Sequence, residues 1–337
     1  MTPLDHLSDE FLPALEAEMQ AVLAMDAPRH HLYYGMMHYH LGWLGADLEP
    51  AASKVGKRVR PLVCLLVCAA AGGEWSQALP AAAAIELLHN FSLIHDDIED
   101  NSPTRRGRDT VWTLWGVPQA INTGDSMFAS AFDALARLFD RGVSAEATVR
   151  ALRTFTEACI QLTKGQQLDM WFETQSEVSM DQYSQMIAGK TAALLSASTE
   201  IGAIVAGAGS ERQRNYAKFG RNVGMAFQVY DDILGIWGNE EALGKSTASD
   251  ILTRKKTFPV LYGLARSPAL CELYAQPEMD LDRAVALLDQ TGARAYTQAA
   301  AQRYSDRAMA HLAAAEPAGA AGAALRSLTT RLIQRRY

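Results

Sequence analysis

The spacing of apolar residues constrains this chain more than any other feature. They recur at three- and four-residue steps in one run after another, and no stretch shows the strict apolar–polar alternation of a half-buried strand. Short Gly and Pro breaks separate the runs. Helices are expected over Leu7–Met25, Pro118–Phe139, Ala145–Trp171, Asp181–Ala206, Glu211–Trp237, Asp282–Leu288, Ala293–Ala314 and Ala320–Arg335. No repeat or low-complexity linker divides them, so the expectation is a single all-α domain over residues 1–337. With 49% hydrophobic and 20% charged residues in 337, the chain can bury a large core and belongs with globular sequences.

Two helices end badly on their own. Ile85, Leu88, Phe91 and Leu93 make a helix-compatible apolar run, and Pro103 forbids its continuation. Asp96, Asp97, Glu99 and Asp100 therefore crowd the last turn, where the helix dipole is already negative. Asp96 and Asp100, four apart, also repel each other by roughly 0.2–0.5 kcal/mol. A bound cation reverses both penalties. Mg2+ suits these ligands, because it takes carboxylate oxygens and completes its shell with water and substrate phosphate. Arg105 and Arg106 follow at once, and guanidinium forks match phosphate oxygens. A solvated helix end of mixed charge explains one such segment equally well. The pattern returns, however, at Asp231-Asp232, which is followed by Gly235, Gly238, Gly244-Lys245, Asp250 and Arg254-Lys255-Lys256-Thr257. The repetition favours a metal-bound diphosphate held by two acidic helix ends.

Other features carry less. Gly56-Lys57-Arg58-Val59-Arg60-Pro61 sets cations ahead of a helix N-terminus, an arrangement that suits an anion or a charged surface. Gln166 and Asp169 share a helix face, which either lines a site or meets solvent. His30, His31, His38 and His40 lack an acidic partner set and read as surface or packing residues. Cys64, Cys68, Cys159 and Cys271 have no metal-type spacing, and the first two read as core. A net charge of −7 argues against nucleic acid as a partner. The N-terminal residues lack a signal-peptide core, Pro61–Gly72 is too short to span a bilayer, and Glu200 interrupts Thr191–Gly209. No transmembrane segment and a cytoplasmic location are expected.

Taken in order from about residue 56 to 259, GKRVRP, ELLHNFSLIHDDIED, RRG, GQQLD, GKTAAL, FQVYDD, GK and DILTRKKTFP resemble the motifs of the trans-isoprenyl diphosphate synthases, or polyprenyl synthetases. The resemblance is strongest to geranylgeranyl diphosphate synthases. It implies an isoprenoid synthase helical bundle around a central active-site cavity, usually as a homodimer. It implies condensation of isopentenyl diphosphate with an allylic diphosphate (dimethylallyl, geranyl or farnesyl), with release of pyrophosphate and with three Mg2+ ions when substrate is bound. Asp96, Asp97 and Asp100 match the first aspartate-rich motif, and Asp231 and Asp232 the second, as Mg2+ ligands. Lys57, Arg60, His89 and Arg106 match the isopentenyl diphosphate site. Arg105, Lys190, Thr191, Gln228, Lys245 and Lys255 match contacts to the allylic diphosphate.

Chain length is implied to depend on the apolar depth behind the first motif. Phe91, five residues before Asp96, would floor it, with Ser92 and Leu88 beside it, as in C20 synthases. One departure stands out: the family's second motif ends in a third Asp, and this chain has Gly235 there. A terpene cyclase on the same fold is therefore an alternative, although a cyclase needs no second diphosphate pocket. A non-catalytic partner subunit is another, and it would be expected to lose the first acidic motif, which is intact here.

Overall fold

The structure is a computed structural model and describes residues 2–51, 56–238 and 249–334. Lys245 and its neighbour Gly244 lie outside the described residues. The chain forms two compact units. The first comprises residues 1–155, 200–209 and 317–325, and the second residues 156–199, 210–316 and 326–337.

In the first unit, α1 (Pro3–Val22) starts four residues before the sequence-based boundary. Thr2 and Asp5 form a reciprocal capping box, and Pro3 supplies the first helical φ. Next come α2 (His31–Leu41), α3 (Val59–Ala70) and α4 (Leu79–Glu99). Residues 61–68 of α3 are all buried, so this helix is apolar on every side and serves as a core rod. Cys64 and Cys68 lie in it, and with Cys159 they are packing residues: burial pushes the Cys68 and Cys159 thiols up to about 12. A short hairpin, β1 (Thr104–Arg105) and β2 (Arg108–Asp109), follows α4. Two-residue strands are too short to leave an alternating pattern, which is why periodicity did not anticipate them. The short α5 (Val111–Trp115) then leads into α6 (Val117–Ala136), which lies along α4.

The long α7 (Ala145–Thr174) contributes its first part to this unit and the remainder to the second. There α8 (Met180–Ile187) passes through a π-helical turn, Ala188–Ala192, into α9 (Ala193–Val205). The sequence reads as one continuous helix across that turn. Helix α10 (Ser210–Trp237) packs along α15 (Ala293–Ala314), the latter matching its expected bounds. Between them run α11 (Ser249–Leu252), α12 (Phe258–Leu264), α13 (Pro268–Ala275) and α14 (Leu281–Gln290), and α16 (Gly319–Gln334) closes the chain. Tyr183, Met186, Ile187, Val229 and Phe258 form the core behind the C-terminal part of α10. Among the described residues no helix is long and apolar enough to cross a membrane.

Candidate active site

In the first unit the site begins at the end of α4. Asp100 caps the helix and Asn101 turns left-handed, with φ +49°. The Asp100 and Ser102 amides donate to the carbonyls of Asp96 and Asp97, each at 2.8 Å. Four carboxylates thus stand on or beside this last turn, as the sequence indicated, but they do not stand alike. Asp100 is exposed and Asp96 half-buried, whereas Asp97 is 2% exposed. Asp97 Oδ1 accepts from Arg105 Nε at 2.7 Å. Burial pushes the Asp97 carboxyl above its usual range, outweighing the pull of Arg105.

The hairpin sets the two arginines apart. Arg106 and Gly107 form its two-residue turn with φ of +55° and +77°, the twist that a tight hairpin needs. Arg105 returns to Asp97, while the Arg106 guanidinium reaches Gly56, where a Cβ would sit 2.6 Å from Nη2. Arg60 Nη1 and His89 Nε2 are 3.2 Å apart. Burial and the positive charges of Arg60, Arg106 and Arg105 hold the His89 ring well below its ordinary pKa. Because arginine has only donors, Nε2 accepts in this pair. Lys57, at the start of the same segment, is exposed. Among the described residues, buried Arg60 Nε and His40 Nε2 have no hydrogen-bond partner. These atoms fit an anion or its water shell, because a buried polar group left unpaired is costly.

Neighbouring Arg58 has a different task. Its Nη1 donates to Glu86 Oε1 at 2.7 Å, Glu86 also accepts from Asn90 Nδ2 at 2.9 Å, and Glu16 lies 3.4 Å from Nη2. This buried network was missed in the sequence, although Glu86 and Asn90 interrupting an apolar helix were its visible signal.

Behind the acidic turn, Leu88 is fully buried and Ser92 Oγ donates to the His89 carbonyl at 2.8 Å. Phe91 begins a ladder of rings. Its centroid is 5.0 Å from Phe128, Phe128 is 5.1 Å from Phe132, and Phe132 is 5.2 Å from buried Phe155.

The second unit carries the remaining residues that the sequence singled out. A Cβ on Gly165 would overlap the Gly189–Lys190 backbone, with 2.7 Å to Gly189 C, so α7 and the π-helical turn touch main chain to main chain. That approach brings Lys190 Nζ onto Asp169 Oδ2. Beside it Thr191 Oγ1 donates to Gln228 Oε1 at 3.0 Å, and Gln228 Nε2 donates to Asp232 Oδ1 at 3.1 Å. Asp232 Oδ2 accepts from Tyr183 Oη at 2.6 Å and from the Phe258 amide at 3.0 Å. No sequence signal marked Tyr183. Burial pushes the Asp232 carboxyl up to about 7, against the three hydrogen bonds that favour its charged form.

Asp97 and Asp232 were both expected among the metal ligands. The structure turns each inward and engages it with protein donors, because a buried carboxylate must be paired. Asp231 is half-buried, and α10 runs on six residues past it to Trp237 rather than stopping near Gly235. In the last segment Arg254 is tied to the Tyr274 and Pro277 carbonyls, and Lys256 to the Phe172 carbonyl. Lys255, between these struts, is exposed.

Among the described residues no three His, Cys, Asp or Glu side chains converge into a closed metal cage. Mg2+ does not need one, since it keeps several waters and takes one or two carboxylates plus substrate phosphate. Asp96 and Asp100 at the C-terminus of α4, with half-buried Arg105 nearby, fit that demand in charge and donor type.

The polyprenyl synthetase family model matches residues 42–290. The chain is 42% identical over 285 residues to a geranylgeranyl diphosphate synthase of Mycobacterium tuberculosis, covering 82% of this chain and 80% of that one. It is also 42% identical over 230 residues to a (2E,6E)-farnesyl diphosphate synthase of the same organism, covering 68% of this chain and 63% of that one. The crystal structure of geranylgeranyl pyrophosphate synthetase from Pyrococcus horikoshii superposes with a TM-score of 0.88 at 33% identity, covering 99% and 98% of the two chains. The helical fold is thus that of the isoprenoid synthases. With a family match across both acidic helix ends and relatives of this identity, the chain belongs to the polyprenyl synthetase family and is a trans-prenyl diphosphate synthase.

Proposed function

We propose that this enzyme is a Mg2+-dependent geranylgeranyl (C20) diphosphate synthase, a single catalytic domain that works in the cytoplasm as a homodimer. The observation that carries the product assignment is the ring ladder: Phe91 is backed by Phe128, Phe132 and Phe155, so a growing chain that reached it would meet a fixed wall. Exposed Val117, Ile121, Val149 and Leu152 on α6 and α7 support a partner copy.

In this reading Asp96, Asp100 and Asp231 hold Mg2+ directly, and Asp97 and Asp232 orient the helix ends that carry them. When bound there, Mg2+ would supply the positive charge that neutralises the allylic diphosphate and favours pyrophosphate as leaving group. Arg105, Lys190, Lys245 and Lys255 add positive charge where negative charge grows, and Thr191 and Gln228 position the same group. Lys57, Arg60, His89 and Arg106 hold isopentenyl diphosphate. Its double bond attacks the allylic cation left by C–O cleavage, and a proton is then lost to the departing pyrophosphate.

Product analysis by mass spectrometry tests this. Isopentenyl diphosphate with dimethylallyl, geranyl or farnesyl diphosphate should converge on a C20 product. Termination at C15 or C25 would overturn the assignment. Geranylgeranyl diphosphate alone should not react, and a hydrocarbon formed from it would favour the cyclase alternative.

A further inference from the structure

Position 235 lies four residues after Asp231 on α10, so the two share a face, with Cβ positions roughly 5–6 Å apart. It is also where the family's third aspartate is missing. The place is not empty. A Cβ built on Gly235 would fall on the Asp250 carboxylate, 2.7 Å from Cγ and closer still to Oδ2. Glycine here lets a carboxylate from another segment lie directly on the helix backbone, where any side chain would displace it.

We infer that Asp250 supplies the carboxylate that the second aspartate cluster lacks at position 235, and acts with Asp231 on the metal bound there. The inference rests on the proposed role of Asp231. With Asp232 committed to Tyr183, Phe258 and Gln228, Asp231 would otherwise be the cluster's one outward carboxylate. Asp250 restores a second. It enters from α11 rather than from the helix, so its position is set by the backbone of residues 250–255, where the Lys255 amide donates to the Asp250 carbonyl at 2.8 Å. An acidic group on the last turn of a helix is unfavourable unless a cation balances it. Mg2+ binding through carboxylates and ordered water provides that balance.

The test is Mn2+ affinity of the full chain, measured by electron paramagnetic resonance with unreactive farnesyl thiodiphosphate present. Asp250→Asn should weaken Mn2+ binding by about tenfold or more, the usual scale for losing a supporting group at a metal site. Gly235→Ala should do likewise without removing any charge, because it evicts the Asp250 carboxylate. The double variant Asp250→Asn/Gly235→Asp should recover most of the affinity, which a merely unfolded protein cannot do. If Asp231→Asn weakens Mn2+ while Asp250→Asn and Gly235→Ala do not, the inference is wrong and the metal site stands. Failure of the double variant to recover affinity also overturns it. If Asp231→Asn has no effect, the reading of the second cluster falls with it.

Discussion

Asp96 and Asp97 are adjacent in sequence and opposite in circumstance. Asp97 is sealed against Arg105, and Asp96 is left half-exposed one turn from Asp100. Asp96→Ala removes a half-exposed carboxylate rather than a core side chain. It should therefore lower kcat by two orders of magnitude or more, as loss of a key transition-state contact does, with a melting temperature little changed. A near-normal rate would remove Asp96 from the mechanism. Glu86 is the reverse case: it touches no proposed substrate position but neutralises buried Arg58. Glu86→Ala leaves that buried charge to the longer Glu16 contact at 3.4 Å and should cost about 3 kcal/mol in denaturant unfolding. His40 gives the pH dependence. Burial first, then the charges of Arg105, Arg106, Arg58 and Arg108, depress its pKa to about 3, so the folded ring is neutral while the unfolded ring protonates at its ordinary 6.5. Below pH 6.5 the unfolded state takes up a proton that the fold refuses, and stability falls as pH drops from 6.5 towards 3. His40→Gln should flatten the melting temperature over that window, and an unchanged slope would show that the ring is not buried neutral.

Among the elements, the π-helical turn at Ala188–Ala192 does what an uninterrupted α8–α9 helix does not. It lays Gly189 and Lys190 against Gly165 at main-chain distance and so aims Lys190 at Asp169. Such turns concentrate at functional positions. Gly165→Ala forces two backbones apart. It should cost about 1–3 kcal/mol of stability and raise KM for the allylic diphosphate as Lys190 shifts. If KM is unchanged while stability drops, the turn is structural only. The C-terminal end of helix α4 was legible because its stop signal is local: Pro103 and a run of acids. The break between α8 and α9 was not, since nothing in AGKTA differs from an ordinary helical sequence. The turn is imposed by what packs on it.

For the molecule as a whole, the proposed C20 assignment makes product length a property of packed rings rather than of any one motif. Phe91 lies on α4, Phe128 and Phe132 on α6, and Phe155 on α7. Phe91→Ala opens the first rung and should shift products beyond C20 by one or more five-carbon units. An unchanged product distribution would remove Phe91 as the floor. The family resemblance singles out Phe91 as a candidate by its distance from Asp96, but Phe128, Phe132 and Phe155 are 37 to 64 positions from Phe91 and carry no shared spacing.

What the sequence determined by itself was whatever depends on neighbours a few residues apart: the helices, their acidic ends, the arginine pair and the ordered motifs that identify the family. The tertiary structure decided which member of each acidic pair turns inward, that Arg58 belongs to Glu86, and that the space at Gly235 belongs to Asp250. The physical reason is desolvation. Whether a charge is buried, and who then neutralises it, depends on partners brought together from distant parts of the chain, and no local pattern records them.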